Sequence, residues 1–118
     1  MSNFEHSTLV CDLKKSPKEI INELKSEQAD ALHMAVGIAG EAGELLDAIK
    51  KWSIYQKPLD LENVIEELGD LEFYMEGLRQ SLNLTRIETL MENIAKLQKR
   101  YAKGKYTNEQ ANERADKI

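Results

Sequence analysis

Two short acidic motifs constrain the fold of this chain more than any other feature of its sequence. Glu41-Ala-Gly-Glu44 and Glu67-Leu-Gly-Asp70 each hold two carboxylates three residues apart, and 22 residues separate the motifs. In an α-helix, three positions correspond to about 300° of rotation and roughly 4.5 Å of rise, so both carboxylates of a motif lean toward one helix face. The fold therefore has to accommodate four carboxylates on two helix faces.

Carboxylates that two helices bring together repel one another and resist ionisation unless a cation joins them. The motifs offer hard oxygen ligands without Cys or His, a donor set that favours Mg²⁺ or Mn²⁺. A single acidic pair is more often a solvated helix face. Two pairs, each with a glycine at the same internal position, favour a metal site in which Glu41, Glu44, Glu67 and Asp70 are the ligands.

Apolar spacing along the rest of the chain is that of α-helices, without a convincing two-residue alternation, and predicts an all-α fold of the four-helix-bundle type. The predicted helices cover residues 17–25, 26–52, 60–82 and 85–103, and a short helix follows toward the C-terminus. Ser16, Asp60 and Thr85 are predicted caps, and Thr107 is a candidate cap for the last helix. Residues 1–15 are expected to be irregular, and the first two helices either merge or break at Ser26.

Each of the three longer predicted helices carries an apolar stripe that we expect to be buried. The stripes are Leu32, Val36, Ala39, Gly43 and Leu46, then Val64, Leu68, Leu71, Met75, Leu78 and Leu82, then Ile87, Leu90 or Met91, Ile94, Leu97 and Tyr101. Gly37, Gly40 and Gly43 lie inside one helix, where a glycine costs up to about 1 kcal/mol relative to alanine. Close helix packing and room for a ligand explain them equally well.

Composition limits the classes of partner. The 118 residues are predicted to form a single helical domain spanning 1–118, and the formal charge of -5 argues against a nucleic-acid partner. No apolar run reaches the ~18–20 residues of a membrane span, and the single cysteine, Cys11, cannot form an internal disulfide. A cytoplasmic protein is expected. Because 31% of the residues are charged, the core is thin, and we expect a homo-oligomer to complete it.

A second polar group lies on the fourth predicted helix. Asn93, Lys96 and Arg100 share one face at i, i+3 and i+7, and Tyr101 follows. Lysine and arginine can clamp the oxygens of a phosphate chain, although basic residues also favour the C-terminal part of a helix because of its dipole. Together with the acidic quartet, this group predicts a metal–polyphosphate site.

Two aromatic residues are weaker candidates for the base side of a ligand. His33 could hydrogen-bond a ligand, although a packed or capped histidine is the commoner case. Trp52 could stack on a base or close the core at the end of the second helix.

The surroundings of these motifs resemble the MazG-like all-α nucleoside triphosphate pyrophosphohydrolases over roughly residues 30–116. The matching segments are Gly40-Glu-Ala-Gly-Glu-Leu45, Glu66-Glu-Leu-Gly-Asp-Leu71 and Lys96-Leu-Gln-Lys-Arg-Tyr101. The resemblance implies helical protomers that assemble as homodimers or homotetramers, and Mg²⁺-dependent hydrolysis of a nucleoside triphosphate to the monophosphate and pyrophosphate. It also implies that the acidic quartet binds the metal and that Lys96 and Arg100 contact phosphates, with Asn93 and Tyr101 as further contributors.

Two departures from the family pattern concern the shape of the pocket. Glu72 stands where many relatives carry an apolar residue, and it is a candidate extra ligand, interface residue or sign of a broader contact arc. The segment Ala102-Lys-Gly-Lys105 replaces a common proline-containing turn.

Several functions remain compatible with these motifs. A nucleotide-pool house-cleaning enzyme is favoured by the small size of the chain, while dUTPase-like and phosphoribosyl-ATP pyrophosphatase-like enzymes share the same metal motif. One of the four carboxylates, or Glu66 nearby, would accept the proton of the attacking water. The alternative from a different class is a non-catalytic helical oligomerisation or interaction module, in which the acidic residues are solvated or salt-bridged.

Overall fold

Helix-capping residues and turns divide the described part of the chain into six helices. The structure, a computed structural model, describes residues 3–102, 104 and 108–113. Its helices are α1 (Asn3–Leu13), α2 (Pro17–Glu23), α3 (Ser26–Ser53), α4 (Leu61–Ser81), α5 (Arg86–Arg100) and α6 (Asn108–Glu113). The described residues contain no strand, which confirms the all-α prediction; α2–α5 are the four predicted helices and α6 is the predicted short one. Thr107, Lys103 and Lys105 lie outside the described residues.

The predicted helix starts are confirmed by capping hydrogen bonds. The side chains of Ser16, Asp60 and Thr85 each accept a hydrogen bond from the backbone N–H three residues later, at 3.5, 3.1 and 3.1 Å. The Glu88 carboxylate accepts in return from the Thr85 N–H at 3.3 Å, which completes a capping box. Helices α2 and α3 are separate because Lys25 has an extended backbone and starts α3.

The N-terminal segment corrects one prediction. Residues 1–15 are expected to be irregular, but Asn3–Leu13 forms the α1 helix. The sequence of this helix contains no glycine or proline, so nothing interrupts its local hydrogen bonds. Its apolar residues, among them Leu9, Val10 and Leu13, are exposed. Helix α1 therefore forms without burying an apolar stripe, and the prediction of an irregular N-terminal segment is wrong for these residues.

Helices α3 and α4 form the main packing unit and run antiparallel to each other. Gly37 lies against the ring of Tyr74, and Met34 lies against Gly77. Near the start of α3, Asp30 accepts a hydrogen bond from the Ser81 hydroxyl. Each step toward the C-terminus of α3 is thus matched by an equal step toward the N-terminus of α4, and the register is fixed along the whole contact.

The face of α3 that meets α4 is not the predicted apolar stripe. Leu32, Val36 and Leu46 are 56%, 61% and 66% exposed, whereas Glu41 is half-buried and Ala48 is buried. A shift of two residues corresponds to about 200° around a helix, so the two sets lie on nearly opposite faces. The acidic face of α3 packs against α4, and the apolar stripe is left for another surface.

Helix α5 is exposed in the same way. Its predicted stripe is uncovered, with Ile87 70% and Met91 59% exposed, because α5 does not pack along α3 or α4 in the described part of the chain. The Cα radius of gyration is 20.1 Å, against about 13 Å for a compact domain of roughly 100 residues. None of the described helices has both the length and the apolarity to cross a lipid bilayer. One copy of the chain therefore leaves several apolar faces uncovered.

The glycines of α3 yield a test of this packing. A Cβ at residue 37 would overlap the ring of Tyr74, whereas a Cβ at residue 40 would meet nothing. We expect Gly37→Ala to destabilise the protein by about 1–3 kcal/mol through overpacking, less the helix-propensity gain. Gly40→Ala should stabilise it by up to about 1 kcal/mol. Urea unfolding of both variants at equal protein concentration measures the difference, and equal effects of the two substitutions would contradict the α3–α4 register.

Candidate metal centre

The antiparallel register brings the two acidic motifs face to face. Carboxylate oxygens of Glu41, Glu67 and Asp70 all lie within 4.8 Å of one another; we call these three residues the acidic cluster. Glu41 comes from α3, and the other two come from consecutive turns of α4. The predicted pairing of the motifs across two helices is therefore present in the described structure.

Burial makes this cluster electrostatically unfavourable on its own. Glu67 is only 6% exposed, and Glu41 is half-buried beside it. Among the described residues, the Oε2 atoms of Glu41 and Glu67 are buried and accept no hydrogen bond. Buried carboxylate oxygens without partners are costly, so the arrangement calls for a proton or a cation between the two helices.

The pKa of Glu67 expresses the same cost. The neighbouring Glu41 carboxyl, the burial of the site and the Glu44 carboxyl together raise the pKa of Glu67 from its ordinary 4.5 to about 8. At neutral pH the protonated form of Glu67 is therefore favoured in the metal-free chain, which removes one of the crowded negative charges. A divalent cation would replace this proton, since metal ligands must be deprotonated.

The residues present fit a hard divalent cation. Three carboxylates from two helices converge, two of their oxygens lack hydrogen-bond partners within the described structure, and no Cys or His belongs to the cluster. Such an all-oxygen set suits Mg²⁺ or Mn²⁺ rather than zinc or copper. Glu41, Glu67 and Asp70 could hold the ion, with Glu44 next to them.

A groove of about 480 Å³ opens beside the acidic cluster. Its lining residues, which define the metal-side groove, are Gly40, Gly43, Glu44, Asp47, Asn63 and Glu67. A Cβ at Gly40 or Gly43 would meet open space, whereas Gly37 is packed against Tyr74. The two explanations offered for the glycines thus both apply: Gly37 serves helix packing, and Gly40 and Gly43 leave room in the groove.

Two groove residues were missed by the sequence analysis. Asp47 lies three residues after Glu44, and Asn63 lies four residues before Glu67, so each extends an acidic motif by one helical turn. This spacing is the signal that could have identified them. The Lys51 Nζ lies 2.9 Å from a carboxylate oxygen of Asp47. This contact lowers the pKa of Asp47 and places a positively charged ammonium group at the end of the groove.

The predicted phosphate-binding group is not brought to the acidic cluster within one chain. Asn93 is exposed, and Lys96, Arg100 and Tyr101 are half-buried. All four belong to α5 or its C-terminal cap, and α5 does not pack along α3 or α4 in the described ranges. Their proximity to the metal site is therefore still a prediction.

The other singled-out residues lie away from the cluster. His33 is exposed and contacts Tyr74 edge-on, with ring centroids 6.4 Å apart. Trp52, in the last turn of α3, is 47% exposed. Neither lines the metal-side groove. Glu72 does not belong to the acidic cluster, and its carboxylate pairs at 4.0 Å with the buried Arg79 guanidinium on the same helix; the roles considered for it are still predictions.

The sequence of the chain is similar to that of a known protein family. A family model described as the MazG nucleotide pyrophosphohydrolase domain matches residues 30–104, a segment that contains both acidic motifs and the α5 group. Searches against curated proteins and against solved structures found no significant match.

The raised pKa of Glu67 predicts how the stability of the metal-free protein depends on pH. Between pH 4.5 and about 8 the folded chain binds more protons at Glu67 than the unfolded chain does, so the free energy of unfolding contributed by this group falls as the pH rises through that window. In EDTA, we expect wild-type Tm to drop more than that of Glu67→Gln between about pH 5 and pH 8.5.

The matched control for this experiment is Glu92→Gln, at an exposed carboxylate of α5. It should keep the wild-type pH profile. A saturating concentration of Mg²⁺ should flatten the profile of the wild type, because the cation takes the place of the proton. Identical profiles of the wild type and Glu67→Gln in EDTA would show that Glu67 is not crowded by its neighbours.

Proposed function

Because the chain belongs to the MazG nucleotide pyrophosphohydrolase family, we propose that it hydrolyses nucleoside or deoxynucleoside triphosphates to the monophosphate and pyrophosphate with the help of Mg²⁺. The observation that carries this proposal is the acidic cluster, which lies inside the segment that matches the family. A cytoplasmic role in clearing unwanted nucleotides from the pool suits a small enzyme of this kind.

The chain supplies a ligand set and a groove. Glu41, Glu67 and Asp70 would hold the cation between α3 and α4. When bound, Mg²⁺ supplies charge neutralisation for phosphate oxygens and lowers the pKa of a bound water. Glu44 lines the groove next to these ligands, where its carboxylate can join the ligand set or accept the proton of the attacking water. Phosphoryl-transfer reactions need positioning and charge more than covalent chemistry from the protein.

Positive charge for the phosphate chain would come from α5. Lys96 and Arg100 would neutralise phosphate oxygens, with Asn93 and Tyr101 as hydrogen-bonding neighbours. This role requires α5 to lie over the metal-side groove. The exposed apolar stripes of α3 and α5 support contacts with another copy of the chain, since apolar faces of this extent are typical of protein interfaces.

We therefore include assembly of the chain in the proposal. Packing an α3 stripe against an α5 stripe of another copy would bury both faces. A homodimer or homotetramer built in this way would have the core that a single copy lacks.

Removal of metal ligands tests the reaction. With Mg²⁺, the purified protein should release pyrophosphate from at least one nucleotide in a panel that includes dUTP and phosphoribosyl-ATP. Glu41→Gln and Asp70→Asn should lower kcat/KM by on the order of 100-fold or more, because each weakens a cation worth several kcal/mol in the transition state. The control is Glu92→Gln, which lies on α5 and should retain activity.

Metal titration gives a second measurement on the same proteins. Mg²⁺ or Mn²⁺ should raise the Tm of the wild type in a saturable way and have little effect on Glu41→Gln. Full activity in both ligand variants, or no turnover with any nucleotide, would contradict the proposed reaction. The absence of saturable metal binding would favour the non-catalytic interaction module instead.

Charge placed on the α5 stripe tests the assembly. The double variant Leu90→Asp/Leu97→Asp should shift the mass measured by light scattering from a dimer or tetramer toward a monomer, since two charges would have to be buried at the interface. Ala95→Asp, at an exposed position of α5 outside this stripe, should leave the mass unchanged. A wild type that is monomeric at all concentrations would refute this part of the proposal.

A further inference from the structure

A second cavity lies at the other end of the α3–α4 pair. It measures about 510 Å³ and is lined by residues that include Asp30 and Met34 of α3 and Phe73, Gln80 and Ser81 of α4; we call it the distal cavity. Phe73 is 67% exposed and forms an aromatic wall, while Met34 lies half-buried against Gly77. The cavity thus combines apolar walls with carboxylate and amide groups.

The distal cavity and the metal-side groove open on the same side of the helix pair. In α4, Phe73 and Gln80 each stand one position before a residue that meets α3, namely Tyr74 and Ser81. Two groove residues of α3 likewise stand one position before a residue that faces α4. Gly40 precedes Glu41, and Asp47 precedes the buried Ala48. In two antiparallel right-handed helices, a step of one residue before the contact leads to the same flank of the pair.

The separation of the two sites matches the length of a nucleotide. Met34 and Glu41 are seven positions apart in α3, which corresponds to roughly 10 Å along the helix axis. A ribose and its first phosphate bridge a span of this size. Gly40, the α3 residue of the groove that is nearest to the distal cavity in sequence, has no neighbour where a Cβ would stand, so the flank is open on that side of the groove.

The polar groups of the cavity select among ligands. Glu76 is already engaged, since it accepts hydrogen bonds from Arg79 at 3.2 Å and from Gln80 at 3.4 Å. Asp30 accepts from the Ser81 hydroxyl, and no ion pair neutralises it in the described part of the chain. Its carboxylate has further acceptor capacity, because each carboxylate oxygen carries two lone pairs. The best ligand therefore offers N–H donors and a flat apolar ring.

We propose that the distal cavity holds the base of the nucleotide and that Asp30 selects guanine. Guanine has two adjacent donors, N1–H and the 2-amino group, on its Watson–Crick edge, and these match the two oxygens of a carboxylate. Adenine and cytosine place an acceptor beside their amino group, and uracil places acceptors on both sides of its N–H. Phe73 and Met34 would contact the ring faces. This assignment rests on the proposed function, which places the phosphates at the acidic cluster.

Substitution of Asp30 tests the assignment by reversing the preference. Asparagine can accept from N1–H and donate to a carbonyl at position 2, so Asp30→Asn should favour xanthine, which carries that carbonyl in place of the amino group. The wild type should hydrolyse GTP with a kcat/KM about 10- to 100-fold above those for ITP and XTP. Asp30→Asn should lose this advantage and prefer XTP. Glu27→Gln, a charge-matched control one turn earlier on α3, should behave as the wild type.

Equilibrium binding separates failure of this inference from failure of the proposed reaction. Calorimetry with GMP and IMP, without metal, should show tighter binding of GMP to the wild type and loss of that difference in Asp30→Asn. Turnover of several nucleotides without a guanine preference would overturn the assignment and leave the reaction standing. If no nucleotide is hydrolysed, the proposed reaction fails; GMP binding that depends on Asp30 would still support the cavity, and its absence would overturn it.

Discussion

Repulsion between carboxylates at the α3–α4 contact is the constraint on which the rest of this structure depends. Most helix pairs bury apolar stripes, but here the middle of the contact holds Glu41, Glu67 and Asp70. Two of their oxygens are buried without partners in the described structure, and the pKa of Glu67 rises to about 8. The helix pair is thus stabilised less than an apolar one would be, and a cation bound between the carboxylates would restore that stability.

The same arrangement explains the exposed apolar surface. A helix has one face toward its neighbour, and in α3 that face carries the acidic residues and glycines. Leu32, Val36 and Leu46 therefore point away from α4 and are exposed in a single copy. In the proposed function, metal binding and assembly are linked. The carboxylates that would bind the metal occupy the face of α3 that packs against α4, so the apolar stripes have to be covered by other surfaces.

Local features of the fold were predictable from the sequence, and tertiary ones were less so. Caps at Ser16, Asp60 and Thr85 depend on residues three positions apart, so the sequence alone determines them. Spacing of the two motifs also predicted that their carboxylates would meet. The buried face of α3 was predicted wrongly, because the choice between two faces of a helix depends on which neighbour packs there. Helix α1 was missed because it forms without a buried stripe.

The site shows the same division between local and tertiary information. The convergence of Glu41, Glu67 and Asp70 follows from the spacing of the two motifs, whereas the roles of Gly37 and Gly40 became distinct only once the position of Tyr74 was known. Asp47 and Asn63 could have been found by extending each motif by one turn. A contribution of α5 could not be derived from one chain, since contact with the site would require the helix to pack against another surface.

Diffraction from crystals grown with Mn²⁺ tests directly whether a divalent cation binds between α3 and α4. Anomalous diffraction would locate the metal without reference to activity or to a substrate. We expect a strong anomalous peak between α3 and α4, from a Mn²⁺ ion coordinated by carboxylate oxygens of Glu41, Glu67 and Asp70. The proposed metal site would be contradicted if Glu41 and Glu67 were free of metal at a saturating Mn²⁺ concentration, with their carboxylates apart or paired with basic side chains.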